Sequence, residues 1–138
     1  MHIRMVTCLL VDDDPDDHEI FEIALHDLDE GHSCHVVSTG LDAISLLEEE
    51  RSFTPEFIFI DVNMPYISGF DCLRQVKKIQ RLDTVPVIMY STSAAQKDIS
   101  EARHLGASHY FVKPIRMSLL SETLARLLHK ESLPFVIP

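Results

Sequence analysis

The stretch "CLLVDDDPDD", residues 8–17, decides the fold of this chain, because a short apolar run passes directly into five aspartates. Continuous apolar runs of this length are typical of strands that are buried on both faces of a parallel sheet. Asp14 followed by Pro15 is a typical helix start, with a capping acid and a proline at the first helical position. The stretch predicts a strand, an acidic loop and a helix. The aspartates are either a solvated loop or a site for a divalent cation.

Strands and amphipathic helices alternate along the rest of the chain. Ser68 and Ser93 are predicted N-caps, and Gly106 is predicted to follow the end of the fourth helix, about Ala94–His104, which is the least apolar. Five β-α units predict an α/β fold, with a doubly wound, five-stranded parallel sheet and helices on both of its faces. The strand candidates are Cys8–Val11, Val36–Val37, Phe57–Ile60, Val85–Tyr90 and Tyr110–Val112.

Length and composition predict a single domain over residues 1–138, with its core at about 6–128 and an apolar tail at 131–138. Of the 138 residues, 46% are hydrophobic, which is enough to build a core. The formal net charge of −10 disfavours direct binding to nucleic acid, whose phosphates would be repelled.

Targeting and redox features favour the cytoplasm. The chain runs from Met1 straight into a predicted strand and contains no apolar stretch of about 20 residues, so neither a signal peptide nor membrane insertion is expected. The three cysteines form no CxxC pattern, which indicates reduced thiols that pack in the interior. His32 and His35 are interpreted as surface or turn histidines, because no second pair of metal ligands accompanies them.

Polar side chains follow several of the predicted strands, at the edge where ligands bind to sheets of this kind. Neighbouring carboxylates repel one another, and Mg²⁺ with oxygen ligands would offset that repulsion. Carboxylates, a cation, a lysine and a hydroxyl together form a cradle for phosphoryl transfer, in which a carboxylate can be the nucleophile. The side chains in question are Asp12, Asp13 and Asp14, then Asp61 and Asn63, then Ser91 and Thr92, and finally Lys113.

Four segments, "LLVDDDPDD", "FIFIDVNMP", "PVIMYSTSA" and "GASHYFVKP", resemble in their order and spacing the receiver domain of two-component response regulators. The resemblance covers about Val6 to Leu128 and implies a flavodoxin-like sheet with strand order 2-1-3-4-5. The pattern "VDDDPDDxxxF", which closes at Phe21, resembles stand-alone, single-domain receivers. Ten residues follow Leu128, so we expect output through a partner rather than through an attached domain.

The resemblance also implies a role for each matching residue. Asp61 would be the phosphoacceptor, and Lys113 and the Thr92 backbone would hold the phosphoryl group. Ser91 would move toward that group, and Tyr110 would then swing inward.

Mg²⁺ would be bound by Asp12, Asp13, Asp61 and the backbone carbonyl of Asn63. The Lys113–Pro114 peptide bond is expected to be cis. Asp14 and Thr92 depart from the common pattern, and Asp16 and Asp17 are interpreted as first-turn residues of a helix rather than as ligands.

The implied partners are a sensor histidine kinase or a histidine phosphotransfer protein as donor, and a downstream effector or a second copy of the chain for output. The implied output face is the fourth helix, fifth strand and fifth helix. Such a chain catalyses only its own phosphoryl transfer and dephosphorylation. One alternative is a degenerate receiver that binds partners without phosphorylation.

Two further alternatives are an aspartate-nucleophile phosphatase and a flavin-binding protein on the same sheet. The phosphatase lacks support because Asp61-Val62-Asn63 offers no second acid to protonate a leaving group. The flavin reading lacks support because five aspartates would repel the FMN phosphate.

Overall fold

Six parallel strands and five α-helices make up residues 5–138, the part of the chain that this computed structural model describes. The expectations that no signal peptide precedes β1 and that the domain begins at residue 1 concern Met1–Arg4, which lie outside the described residues. The elements are β1 (Thr7–Val11), α1 (Pro15–His26), β2 (Ser33–Val37), α2 (Gly40–Glu49), β3 (Phe57–Asp61), α3 (Gly69–Lys77), a 3₁₀ turn (Gln80–Leu82), β4 (Val87–Ser91), α4 (Gln96–His104), β5 (His109–Val112), α5 (Met117–Leu128) and β6 (Val136–Ile137).

The strand order is β2-β1-β3-β4-β5-β6, which confirms the predicted order 2-1-3-4-5 for the first five strands. The sixth strand corrects the prediction, because the apolar tail returns to the sheet and pairs in parallel with β5. The Tyr110 N–H donates to the Phe135 carbonyl at 2.8 Å, so the tail satisfies backbone groups that an open edge would leave unpaired.

Strands β1, β3, β4 and β5 bury side chains on both faces of the sheet, as the continuous apolar runs predict, whereas the edge strand β2 has no fully buried residue. On one face Leu9 and Met89 belong to the core formed with α2, α3 and α4. On the other face Leu10 and Phe59 belong to the core formed with α1 and α5. All four side chains are fully buried.

Two of the three predicted N-caps are confirmed and one is wrong. Asp14 accepts the Asp16 N–H and Ser68 accepts the Asp71 N–H. Gly106 has φ +88° directly after the end of α4, a conformation that suits glycine. Ser93 does not cap α4, which begins at Gln96, because its hydroxyl accepts the Ala95 N–H and donates to Asp98 in a tighter turn.

The three cysteines and His32 lie wholly or partly in the protein interior. Cys8, Cys34 and Cys72 are free thiols, and burial raises the pKa of Cys34 and Cys72 to about 12. His32 lies in the loop before β2 and its side chain is only 1% exposed, so it is a buried loop residue rather than the surface or turn histidine that was expected. Its Nδ1 accepts the Val6 N–H, so Nε2 carries the proton and donates to Glu30 at 3.0 Å.

Among the helices of residues 5–138, none combines the length and the apolarity that crossing a bilayer requires.

Candidate functional site

Three carboxylates converge at the ends of β1 and β3. Val11 lies opposite Ile60 in the sheet, so the next residues, Asp12 and Asp61, leave adjacent strands side by side. Asp12, Asp13 and Asp61 each offer a carboxylate oxygen, and these atoms lie within 4.8 Å of one another. Oxygen donors of this kind fit a hard divalent cation such as Mg²⁺. Within the described residues, this is the one such group of metal-binding side chains that the structure contains.

Lys113 closes the site from the end of β5. Its Nζ donates to Asp12 at 2.9 Å and to Asp17 at 2.7 Å, and it lies at a longer 3.4 Å from Asp61. The Lys113 backbone N–H donates to the Ser91 carbonyl at 2.7 Å, which ties the lysine to the end of β4. Because the lysine side chain is only 9% exposed, these ion pairs are screened less than pairs on an open surface.

Burial and neighbouring charges shift the ionisation of the site in two directions. For Asp61, burial is the largest influence and raises the pKa of its carboxyl to about 6. Lys113 opposes this rise, and the Asp12 carboxylate adds to it. For Lys113, burial by itself would lower the pKa, but the hydrogen bonds to Asp17 and Asp12 raise it above its ordinary value. The site therefore combines the protonated amine of Lys113 with the Asp61 carboxyl, whose pKa is raised.

The loop after β3 holds Asp61 from the other side. The Asn63 N–H donates to Asp61 Oδ1 at 3.2 Å, which leaves Oδ2 toward Lys113. A Cβ on Gly69 would lie 2.0 Å from the Asp61 carbonyl oxygen, so only glycine permits α3 to start this close to the phosphoacceptor candidate.

Ser91 and Thr92 occupy the end of β4. Ser91 is fully buried and its Oγ accepts the Ser93 N–H at 3.1 Å. Thr92 is exposed and, together with Asp13, Asp61, Asn63 and Lys113, lines an open cavity of about 460 Å³. This cavity is large enough to admit a phosphoryl group beside Asp61.

Tyr110, in β5, lies against the loop that joins β4 to α4. It is fully buried and its hydroxyl donates to the Ser93 carbonyl at 2.8 Å. The structure shows this inward position of Tyr110, and the expected swing stays a prediction.

One expectation for the site is wrong. No cis peptide bond occurs among residues 5–138, so the Lys113–Pro114 bond is trans. Asp17 lies in the first turn of α1 and outside the group of carboxylates that fits a metal, as expected, but it also makes the shortest ion pair of Lys113, which was not predicted. One signal could have identified it, since Cα–Cβ bonds in a helix tilt toward the N-terminus, and at the start of α1 that direction leads back to the strand ends.

The remaining acids of the opening stretch have other roles. Asp14 caps α1 and lines the rim of the cavity, and Asp16 is exposed.

Comparisons with known proteins agree with this geometry. The family model described as the response regulator receiver domain matches residues 8–125. The chain is 31% identical over 122 residues to the chemotaxis protein CheY of Pseudomonas aeruginosa, covering 88% of this chain and 95% of that protein. It is 28% identical over 120 residues to Protein PilH of the same organism, covering 87% and 95% respectively.

A solved structure extends the comparison to the fold. The crystal structure of the phosphorylated cyanobacterial phytochrome response regulator RcpA superposes with a TM-score of 0.84 at 25% identity. The match covers 95% of this chain and 99% of that chain. The family match spans well over half of the sequence, and the aspartate cluster and Lys113 lie inside it. This chain belongs to the response regulator receiver domain family.

Proposed function

We propose that this chain is a signalling module that accepts one phosphoryl group on Asp61 and signals through contact with other proteins. The observation that carries the proposal is the convergence of Asp12, Asp13 and Asp61 with the ammonium of Lys113 in one crevice. The donor would be a sensor histidine kinase or a histidine phosphotransfer protein. The output would be binding to an effector, pairing with a second copy, or onward relay of the phosphoryl group.

The chemistry of the site supports phosphoryl transfer. With acetyl phosphate as donor, a P–O bond forms to the Asp61 carboxylate while the P–O bond to acetate breaks, and acetate leaves with the electron pair. Lys113, the Ser91 hydroxyl and the Thr92 backbone N–H would contact the phosphoryl oxygens. Positioning and charge neutralisation supply most of the catalysis in such transfers.

Mg²⁺ fits the donor set of Asp12, Asp13 and Asp61, and the backbone carbonyl of Asn63 is the fourth proposed ligand. When bound, the cation supplies positive charge that offsets the repulsion between the carboxylates and the incoming phosphoryl group.

Intact-mass measurement tests the proposal. The chain treated with acetyl phosphate should gain one phosphoryl group in Mg²⁺ and none in excess chelator. Asp61→Asn should gain none, while Asp83→Asn, a change at an exposed aspartate, should react as the wild type does.

Other outcomes would favour the alternatives. A wild-type chain without any gain would be a degenerate receiver that binds partners independently of phosphorylation. Multiple turnovers of an unrelated phosphomonoester would favour the aspartate-nucleophile phosphatase instead.

A further inference from the structure

Lys113 is held most closely by a carboxylate that the proposed chemistry does not use. Its Nζ lies 2.7 Å from Asp17 Oδ2 and 3.4 Å from Asp61 Oδ2. The Asp17 side chain is 26% exposed and the Lys113 side chain 9%, so the pair is partly shielded from water. The lysine thus stands nearer to α1 than to the phosphoacceptor.

We propose that Asp17 is a positioning residue that holds Lys113 away from Asp61 and thereby restrains capture of the phosphoryl group. The inference rests on the proposed function, because it assigns Asp17 a role in phosphorylation of Asp61. Asp17 is not a member of the carboxylate group that fits Mg²⁺, so its effect runs through the lysine and through its own charge.

The charges at the site give this restraint a direction. Lys113 brings one positive charge, its three carboxylate partners Asp12, Asp17 and Asp61 bring three negative ones, and Asp13 beside them brings a fourth. An arriving phosphoryl group is an anion that must draw Lys113 from Asp17 and must enter against the Asp17 charge. A neutral residue at position 17 removes both obstacles.

The same substitution should act on the cation in the opposite sense. Without Asp17, Lys113 is free to move closer to Asp12 and Asp61, where it competes with a divalent cation for the same oxygens. The site also loses one negative charge. Anion binding is therefore expected to strengthen while Mg²⁺ binding weakens.

Asp16 provides a matched control. It neighbours Asp17 in the first turn of α1 and has the same favourable position relative to the helix dipole. It is exposed, and its backbone N–H is bonded to Asp14. A change at Asp16 therefore reports effects on the helix start without the contact to Lys113.

The experiment compares Asp17→Asn, Asp17→Ser and Asp16→Asn with the wild type. The measurements are the initial phosphorylation rate with acetyl phosphate by intact mass, the Kd for beryllofluoride at saturating Mg²⁺, and the Kd for Mg²⁺ alone. Both Asp17 variants should be phosphorylated and bind beryllofluoride roughly fivefold to tenfold better, and bind Mg²⁺ several-fold more weakly. Asp16→Asn should stay within about twofold of the wild type, since an exposed charge is screened by solvent.

The outcomes separate the two proposals. If the Asp17 variants behave as Asp16→Asn does, or if anion and cation binding weaken together, Asp17 serves only the helix start and the inference is wrong. Asp17→Glu should return both properties toward wild type, because it restores the charge beside Lys113. A wild-type chain that takes no phosphoryl group would instead contradict the proposed function, and the inference with it.

Discussion

At the scale of single residues, Asp61 is subject to opposing influences: burial and the Asp12 carboxylate disfavour its ionised form, while Lys113 and the Asn63 N–H favour it. The Asp61 side chain is 11% exposed, lies beside Asp12 and accepts the Asn63 N–H. Its pKa of about 6 lies above the ordinary value of 3.8, so ionising Asp61 is harder in the folded chain than in the unfolded chain. Without a bound cation, this penalty on the folded state is fully present above pH 6 and vanishes as the pH falls below about 3.8.

Asp61→Asn should therefore stabilise the chain in excess chelator, and more so at higher pH. We expect the free energy of unfolding to rise by about 3 kcal/mol near pH 7.5 and by less than about 1 kcal/mol near pH 4, as urea titration of variant and wild type would measure. Asp83→Asn is the control at an exposed acid. An equal gain at both pH values would contradict the assignment of the penalty to Asp61.

At the scale of elements, β6 joins the edge of the sheet to α4. The Arg103 guanidinium of α4 lies 4.2 Å from the centre of the Phe135 ring, and the Phe135 carbonyl accepts the Tyr110 N–H. His109 Nδ1 lies within hydrogen-bond distance, 2.9 Å, of the Pro134 carbonyl. The tail therefore covers part of the face that the receiver resemblance assigns to output.

Phe135→Ala should lower the free energy of unfolding by about 2 kcal/mol, because it removes a half-buried ring and its cation-π contact. Urea unfolding would measure the loss, with the exposed Ser132→Ala as control. A loss no larger than that of the control would contradict the docking of the tail.

The hydrogen bond from the Tyr110 hydroxyl to the Ser93 carbonyl connects β5 to the loop after β4, so we expect both to change when a phosphoryl mimic binds. We expect amide NMR shifts on addition of beryllofluoride to concentrate in residues 91–115. α4 should take part because, of its nine residues, only Ile99 and Ala102 are buried, so it is loosely held.

Tyr110→Phe, which lacks the hydroxyl bonded to Ser93, should weaken the distal shifts, and Tyr110→Ala should confine them to the neighbours of Asp61. Tyr66→Phe, at a tyrosine that is 85% exposed, should leave them unchanged. Distal shifts that survive in Tyr110→Ala would place the coupling route elsewhere.

At the scale of the whole molecule, the net charge of −10 includes a dense group of acids around one crevice. Folding brings Asp12 and Asp13 next to Asp61, whereas the unfolded chain keeps Asp61 far from them. A cation that binds only the assembled site therefore stabilises the folded state by mass action.

Mg²⁺ should raise the melting temperature, with a gain of about 2.7 kcal/mol at 100 times its Kd. Asp13→Ala should abolish most of this gain and is expected to raise the stability of the metal-free chain, since it removes one repelling carboxylate. Calorimetry or thermal unfolding by circular dichroism measures both effects, with Asp16→Ala as the control. A full Mg²⁺ effect in Asp13→Ala would place the cation at another site.

The amino-acid pattern predicted the alternation of strands and helices and the residues at the strand ends of the site, and the family resemblance added the order of the five main strands. Strands that are buried on both faces have continuous apolar sequences, such as Phe57–Ile60, and these can be recognised without a structure. Parallel strands end at one edge, so the acids after β1 and β3 could be placed together, with Lys113 after β5.

Contacts between groups that lie far apart along the chain could be identified only from the folded structure. Asp17 and Lys113 are 96 residues apart, the tail pairs with β5 across the whole of α5, and His32 is buried through its contact with the Val6 N–H. Local patterns report how a segment exposes its own faces, but they do not report which partner a charged or edge group reaches after the chain has packed. The restraint that we propose for Lys113 depends on such a contact, so it follows from the fold and not from the acidic stretch alone.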